Sequence, residues 1–104
     1  MPRGCKWHHV SDYFIDSIGC SETFRMYVAQ DSKGIFHYKG SGDEDLFEDF
    51  DRVDVLIDFF AHYGEDILRA LRSTVAPLKD YEAVVRMIDF RLKSKNQLTS
   101  VAAR

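Results

Sequence analysis

The 104-residue chain predicts an α+β domain: a small antiparallel sheet, an N-terminal hairpin with room for a third strand, packed by two to three C-terminal helices. Two observations lead there. Apolar residues alternate with period two only before residue 40, and recur every three or four residues only after it. Strands first and helices afterwards is also the order expected of an α+β chain, where helices cover one face of an antiparallel sheet. The length allows one core of modest size. Residues 1–95 therefore read as a single domain, and 96–104, which lose all periodicity, as a flexible tail.

Trp7, His8, His9 and Val10 open the chain as an extended or loop segment. Ser11 suits an N-cap and predicts a short helix over residues 12–18, ended by Gly19. Tyr13, Ile15 and Ser17 also alternate with Phe14, Asp16 and Ile18, so a strand fits the same residues. Residues 23–29 place Phe24, Met26 and Val28 on one face of a strand. Asp31-Ser32-Lys33-Gly34 is turn chemistry, and residues 35–39 return as a second strand. Two strands alone are marginal in water, so a third strand or a helix must cover them.

Residues 43–63 predict the helix around which the domain is organised. Leu46, Phe50, Val53, Ile57 and Phe60 form one stripe, flanked by Phe47 and Leu56. Asp43, Glu44 and Asp45 favour the positive end of the helix dipole, and Gly64 suits its end. Gly40-Ser41-Gly42 then reads as the hinge between sheet and helices. A second helix follows over residues 65–75, and Pro77 separates it from a third over residues 78–93.

Hydrophobic content of 45% and charged content of 30% place the chain among globular, not disordered, sequences. No apolar run approaches the ~18 residues of a membrane span, and the first residues lead into no signal-type segment. The expectation is a cytoplasmic protein with no membrane partner. Cys5 and Cys20 are then free thiols rather than a disulfide framework.

The net charge of −3 hides a segregation. Residues 43–66 hold Asp43, Glu44, Asp45, Glu48, Asp49, Asp51, Asp54, Asp58, Glu65 and Asp66 against a single Arg52. Residues 67–104 hold Arg69, Arg72, Lys79, Arg86, Arg91, Lys93, Lys95 and Arg104 against Asp80, Glu82 and Asp89. Opposite charges pairing across adjacent helices would account for this, at about 0–1 kcal/mol for each exposed pair. An acidic ridge that docks on a basic partner accounts for it equally. On a helical wheel Val55 and Phe59 fall opposite Phe50 and Ile57, among Glu44, Glu48 and Asp51, as an apolar anchor inside a polar rim. The competing account of that pair is a central helix buried on two sides.

No catalytic motif is present, and no cofactor is implied. Cys5, His8, His9, Cys20 and His37 have zinc-compatible chemistry but lack the paired spacing of structural sites, so no metal site is assigned. Cys20 with His37 is the kind of thiol–imidazole pair that any such chain offers by accident. Gly40-Ser41-Gly42 leads into three acids that would repel phosphate. Arg86, Arg91, Lys93 and Lys95 on the third helix, with Lys79, can contact phosphates, and Tyr27, Phe36 and Tyr38 can stack bases. The acidic helix works against nucleic acid, as does the absence of an RNP-like motif.

The reading is a non-enzymatic protein-binding domain, a small intracellular inhibitor or adaptor. Its acidic helix, through Glu44, Glu48, Asp51, Asp54, Val55, Asp58 and Phe59, meets a basic protein surface such as that of a nucleic-acid-binding protein. The alternative is a nucleic-acid module using the basic helix. Aromatic richness in a short chain also suits a homodimer.

Overall fold

The structure, a computed structural model, describes the backbone of residues 5–17, 19–42 and 45–102, and their side chains apart from 16, 17, 20 and 95–102. Four strands, β1 (His8–Ser17), β2 (Cys20–Gln30), β3 (Phe36–Ser41) and β4 (Asp45–Phe50), form an antiparallel meander in chain order. Helices α1 (Val53–Ala61) and α2 (Glu65–Val75) follow, then a 3-10 turn (Lys79–Tyr81) and α3 (Glu82–Ala102). The fold is α+β as the sequence predicts, with four strands instead of a hairpin and a third.

Three elements differ from expectation. The helix over residues 43–63 is two elements: Asp45–Phe50 is strand β4, and only Val53–Ala61 is helical. Leu46, Glu48 and Phe50 stand opposite Gly40, Tyr38 and Phe36 in the β3 ladder. That ladder satisfies the backbone of β4 and overrides a pattern that fits helical spacing. Gly40-Ser41-Gly42 consequently leads from β3 towards β4, and the passage from sheet to helices falls at Asp51-Arg52. Over residues 12–18 the strand, not the Ser11-capped helix, is observed through Ser17; Ile18 lies outside the described residues. Pairing with β2 from His8 to Ser17 decides it, with a register shift at Val10. Finally, α3 runs from Glu82 to Ala102, past residue 93 where the apolar spacing ends.

One face of the sheet meets the helices. Met26 and Val28 on β2, Phe36 and Tyr38 on β3, and Phe50 on β4 are buried there with Leu56, Ile57, Phe60, Leu68, Leu71, Val75, Val84 and Ile88. α2 packs on β1, α1 lies beside β4, and α3 crosses both helices. Each large apolar side chain buried in this way contributes about 1.5–3 kcal/mol. The ion pairs that tie helices together, Arg72–Asp89 and Asp58–Arg91, are part-exposed and contribute about 0–1 kcal/mol each. Packing of the apolar faces therefore sets the fold.

Candidate functional site

The helices cover only part of the sheet. Beyond Tyr38, the face they share continues over Gly40 and Gly42 on β3 and its exit, flanked by Tyr13, Ile15 and Phe24 on one side and Leu46 on the other. Neither glycine has positive φ; both are needed for space. A Cβ on Gly40 would lie 2.5 Å from the Tyr38 hydroxyl and 3.1 Å from its Cζ, and one on Gly42 would lie 2.8 Å from Cδ1 of Phe24. The Tyr38 ring thus occupies the room over Gly40, and the Phe24 ring that over Gly42.

Between these rings and the end of α1 lies a pocket of ≈ 250 Å³, lined by Tyr13, Ile15, Phe24, Met26, Tyr38, Leu46 and Tyr63. Tyr13 and Tyr63 meet edge to face at 5.0 Å. The aromatic cluster extends behind the pocket, with Tyr38 4.5 Å from Phe59 and 5.6 Å from Phe60 between ring centres. Burial pushes the Tyr38 phenol up to about 12, helped by the neighbouring Tyr63 phenol. The Tyr63 phenol also lies above its ordinary range, through burial first, then Tyr13 and the Glu48 carboxylate. Tyr38 and Tyr63 are therefore neutral phenols at physiological pH. Glu48 stands opposite Tyr38 in the ladder, and so on the same face.

β4 forms the rim of this region and one edge of the sheet. Its residues from Asp45 to Asp49 are all exposed, with Leu46 at 53% and Phe47 at 42%. An edge strand presents backbone donors and acceptors to any chain that can pair with it. Asp45, Glu48 and Asp51 make no ion pair with another described residue.

At the other end of the sheet an acid–imidazole–acid clamp holds β4 in place. His37 on β3 is buried; its Nδ1 lies 2.7 Å from Asp49 Oδ1 on β4 and its Nε2 2.9 Å from Asp31 Oδ2 in the β2–β3 turn. Asp31 also accepts the amides of Lys33 and Ile35, which builds the turn. Burial of the ring disfavours its charged form, but the hydrogen bonds to Asp31 and Asp49 outweigh that and raise the His37 pKa above its ordinary value. The ring can donate from both nitrogens only as imidazolium, which suits two carboxylate partners.

The residues expected to bind a partner are distributed over several elements. Glu44 lies outside the described residues. Glu48 is on β4 and Asp51 on the link to α1, both exposed. On α1, Asp54 is held by Arg52 and Asp58 by Arg91 of α3, so the flank carrying Asp58 is partly neutralised. Val55 is 40% exposed, but Phe59 turns into the cluster of Tyr38, Phe50, Phe60 and Tyr63. Val55 is thus exposed while Phe59, one turn on, packs against rings of the sheet and of α1 and its exit.

The residues with zinc-compatible chemistry lie in different surroundings. His9 pairs with Asp12, His8 packs against Tyr81, His37 sits in its clamp, and the Cys20 side chain lies outside the described residues. Among the described residues no group of three or more His, Cys, Asp or Glu is placed to hold a metal ion. Of the residues expected to stack bases, Phe36 and Tyr38 are buried beneath helices. Tyr27 faces the opposite side, with Lys39 Nζ 5.8 Å from its ring centre. On α3, Arg86 and Lys93 are exposed.

Sequence reasoning missed the pocket and the clamp. A signal for the pocket exists: Tyr38-x-Gly40-x-Gly42 puts two small residues on the strand face beyond an aromatic one. The clamp joins residues from a turn and two strands, and no local spacing announces it. No protein-family model, curated protein or solved structure matches the chain. Among the described residues no helix is long and apolar enough to cross a membrane.

Proposed function

We propose that this chain is a non-enzymatic protein-binding domain of the cytoplasm, an inhibitor or adaptor that meets a basic partner through β4. The observation that carries the reading is the edge strand itself: exposed along Asp45–Asp49 and bearing acids on both faces. An extended cationic segment that adds to this edge gains ladder hydrogen bonds from its backbone. Its specificity comes from Asp45, Glu48 and Asp51, and from the exposed Leu46 and Phe47. The carboxylates steer association and make it sensitive to salt. Asp54 and Asp58 of α1 already face arginines, so the acidic surface centres on β4 and not on a helix.

The test is an NMR titration with an extended Lys/Val peptide and its Glu/Val counterpart. The basic peptide is expected to shift β4 amides and to bind more weakly as salt rises. Changing Asp45 and Asp51 to Asn and Glu48 to Gln together should slow association without altering the melting temperature. Equal binding of both peptides, or shifts confined to α3, would remove the proposal. The nucleic-acid alternative retains Arg86 and Lys93 on α3, while Asp58 engages Arg91. Titration with single-stranded RNA and duplex DNA at low salt separates the two readings.

A further inference from the structure

We propose that the pocket between the glycine end of β3 and Tyr63 is an aromatic cage for a quaternary ammonium group. Four of its lining residues are rings: Tyr13, Phe24, Tyr38 and Tyr63. Tyr13 and Tyr63 stand at 73° to one another, and the other two rings lie over Gly40 and Gly42. Aromatic faces carry negative potential, and a cation enclosed by several of them is held without a salt bridge.

The surrounding charge has the matching sign. No Lys, Arg or His lines the pocket. The nearest strand cations, Arg25 and Lys39, alternate with Phe24 and Tyr38 and so project from the opposite face of the sheet. On the pocket's own face stands Glu48, opposite Tyr38 in the ladder and near enough to help raise the Tyr63 phenol. A carboxylate beside the pocket and uncharged rings inside favour a cation over a neutral guest.

The remaining lining specifies which cation. Ile15, Met26 and Leu46 offer no strong acceptor, so the N–H donors of a primary ammonium would depend on the phenol oxygens and the carboxylate beside them. Methylation removes those donors and the tight hydration shell while keeping the charge. The ≈ 250 Å³ of the pocket takes a trimethylammonium head with its adjoining methylene groups. Such a head can belong to a free choline-type molecule or to a trimethylated lysine in a peptide; the chemistry recognised is the same. This inference does not rest on strand addition at β4, because the four rings stand on β1, β2, β3 and just past the end of α1.

NMR titrations with tetramethylammonium, with choline and with its neutral isostere 3,3-dimethylbutan-1-ol test it. The cations should shift the ring resonances of Tyr13, Phe24, Tyr38 and Tyr63 saturably, and bind about tenfold more tightly than the alcohol. Tyr63→Leu should weaken the cations about tenfold, Tyr63→Phe should retain them, and Glu48→Gln should weaken them while sparing the alcohol. If Tyr63→Leu does not fold, the Phe and Gln variants carry the comparison, because Glu48 is exposed. A trimethyl-lysine peptide that binds more tightly than choline assigns the head to a modified chain; the reverse order assigns it to a free molecule. Equal affinity for choline and its isostere, or no shift of the ring resonances with tetramethylammonium, would overturn the cage.

Discussion

The two ends of the sheet are built in opposite ways. At the Phe36 end both faces are closed: Val28 and Phe36 lie under the helices, and on the other face Ala29 is buried beside the His37 clamp. At the Gly42 end both faces are open. Phe14 on one side and Ile15 and Leu46 on the other are exposed, and Thr23 and Arg25 face solvent. The closed end holds the fold together; the open end keeps aromatic and apolar groups within reach of another molecule. Gly40 and Gly42 leave room for the Tyr38 and Phe24 rings, where larger side chains would displace them.

The strongest way to break this contrast is at the closed end. Phe60 is fully buried against Tyr38 and Phe59. Phe60→Ala should cost about 3–5 kcal/mol in chemical denaturation, enough to unfold a marginal domain. A loss near zero would mean that the core is not where the helices meet the sheet.

A smaller effect is expected from the clamp, and it has a sign. The folded pKa of His37 lies above its unfolded value of 6.5. Its contribution is therefore fully present below pH 6.5 and disappears as the pH rises through the folded value. Asp31 is held below 3.8, chiefly by its hydrogen bond to His37, so its contribution is present above that pH and is lost on acidification. Denaturation midpoints of the native chain should fall from pH 6 towards about pH 8. His37→Gln, which keeps a polar side chain but cannot titrate, should flatten that fall. An unchanged slope would show that the imidazolium is not what holds β4 to the turn.

The smallest change is expected at the open end. Leu46→Ser removes an apolar side chain that is already 53% exposed, and should alter stability by no more than about 0.5 kcal/mol. A cost comparable to that of Phe60→Ala would make the open end part of the core and would remove the contrast.

Much of the chain was legible because its constraints are local. Met26 and Val28 alternate towards the core as period two requires, Asp31-Ser32-Lys33-Gly34 forms the turn, and α2 spans Glu65–Val75 as its spacing predicts. β4 was not legible. Its helix-facing side carries Leu46, Glu48 and Phe50 and its other side Asp45, Phe47 and Asp49, so neither side is uniformly apolar. An edge strand half in solvent needs no clean alternation, and the same apolar residues satisfy a helical stripe. Nor could the wheel place Phe59. It assumes one continuous helix from residue 43, whereas α1 begins at Val53 and turns Phe59 towards the aromatic cluster.

By itself the sequence determined the α+β class, the β2–β3 hairpin, the last two helices and the separation of acidic from basic segments. Each of these follows from side-chain periodicity or from charge counted along the chain. Only the tertiary structure decided that the acids of Asp45–Phe50 lie on a sheet edge, that His37 lies between two carboxylates, and that four rings surround a pocket. Those outcomes depend on which strand pairs with which. That choice is set by hydrogen bonds and packing between residues far apart in the chain, where local periodicity carries no information.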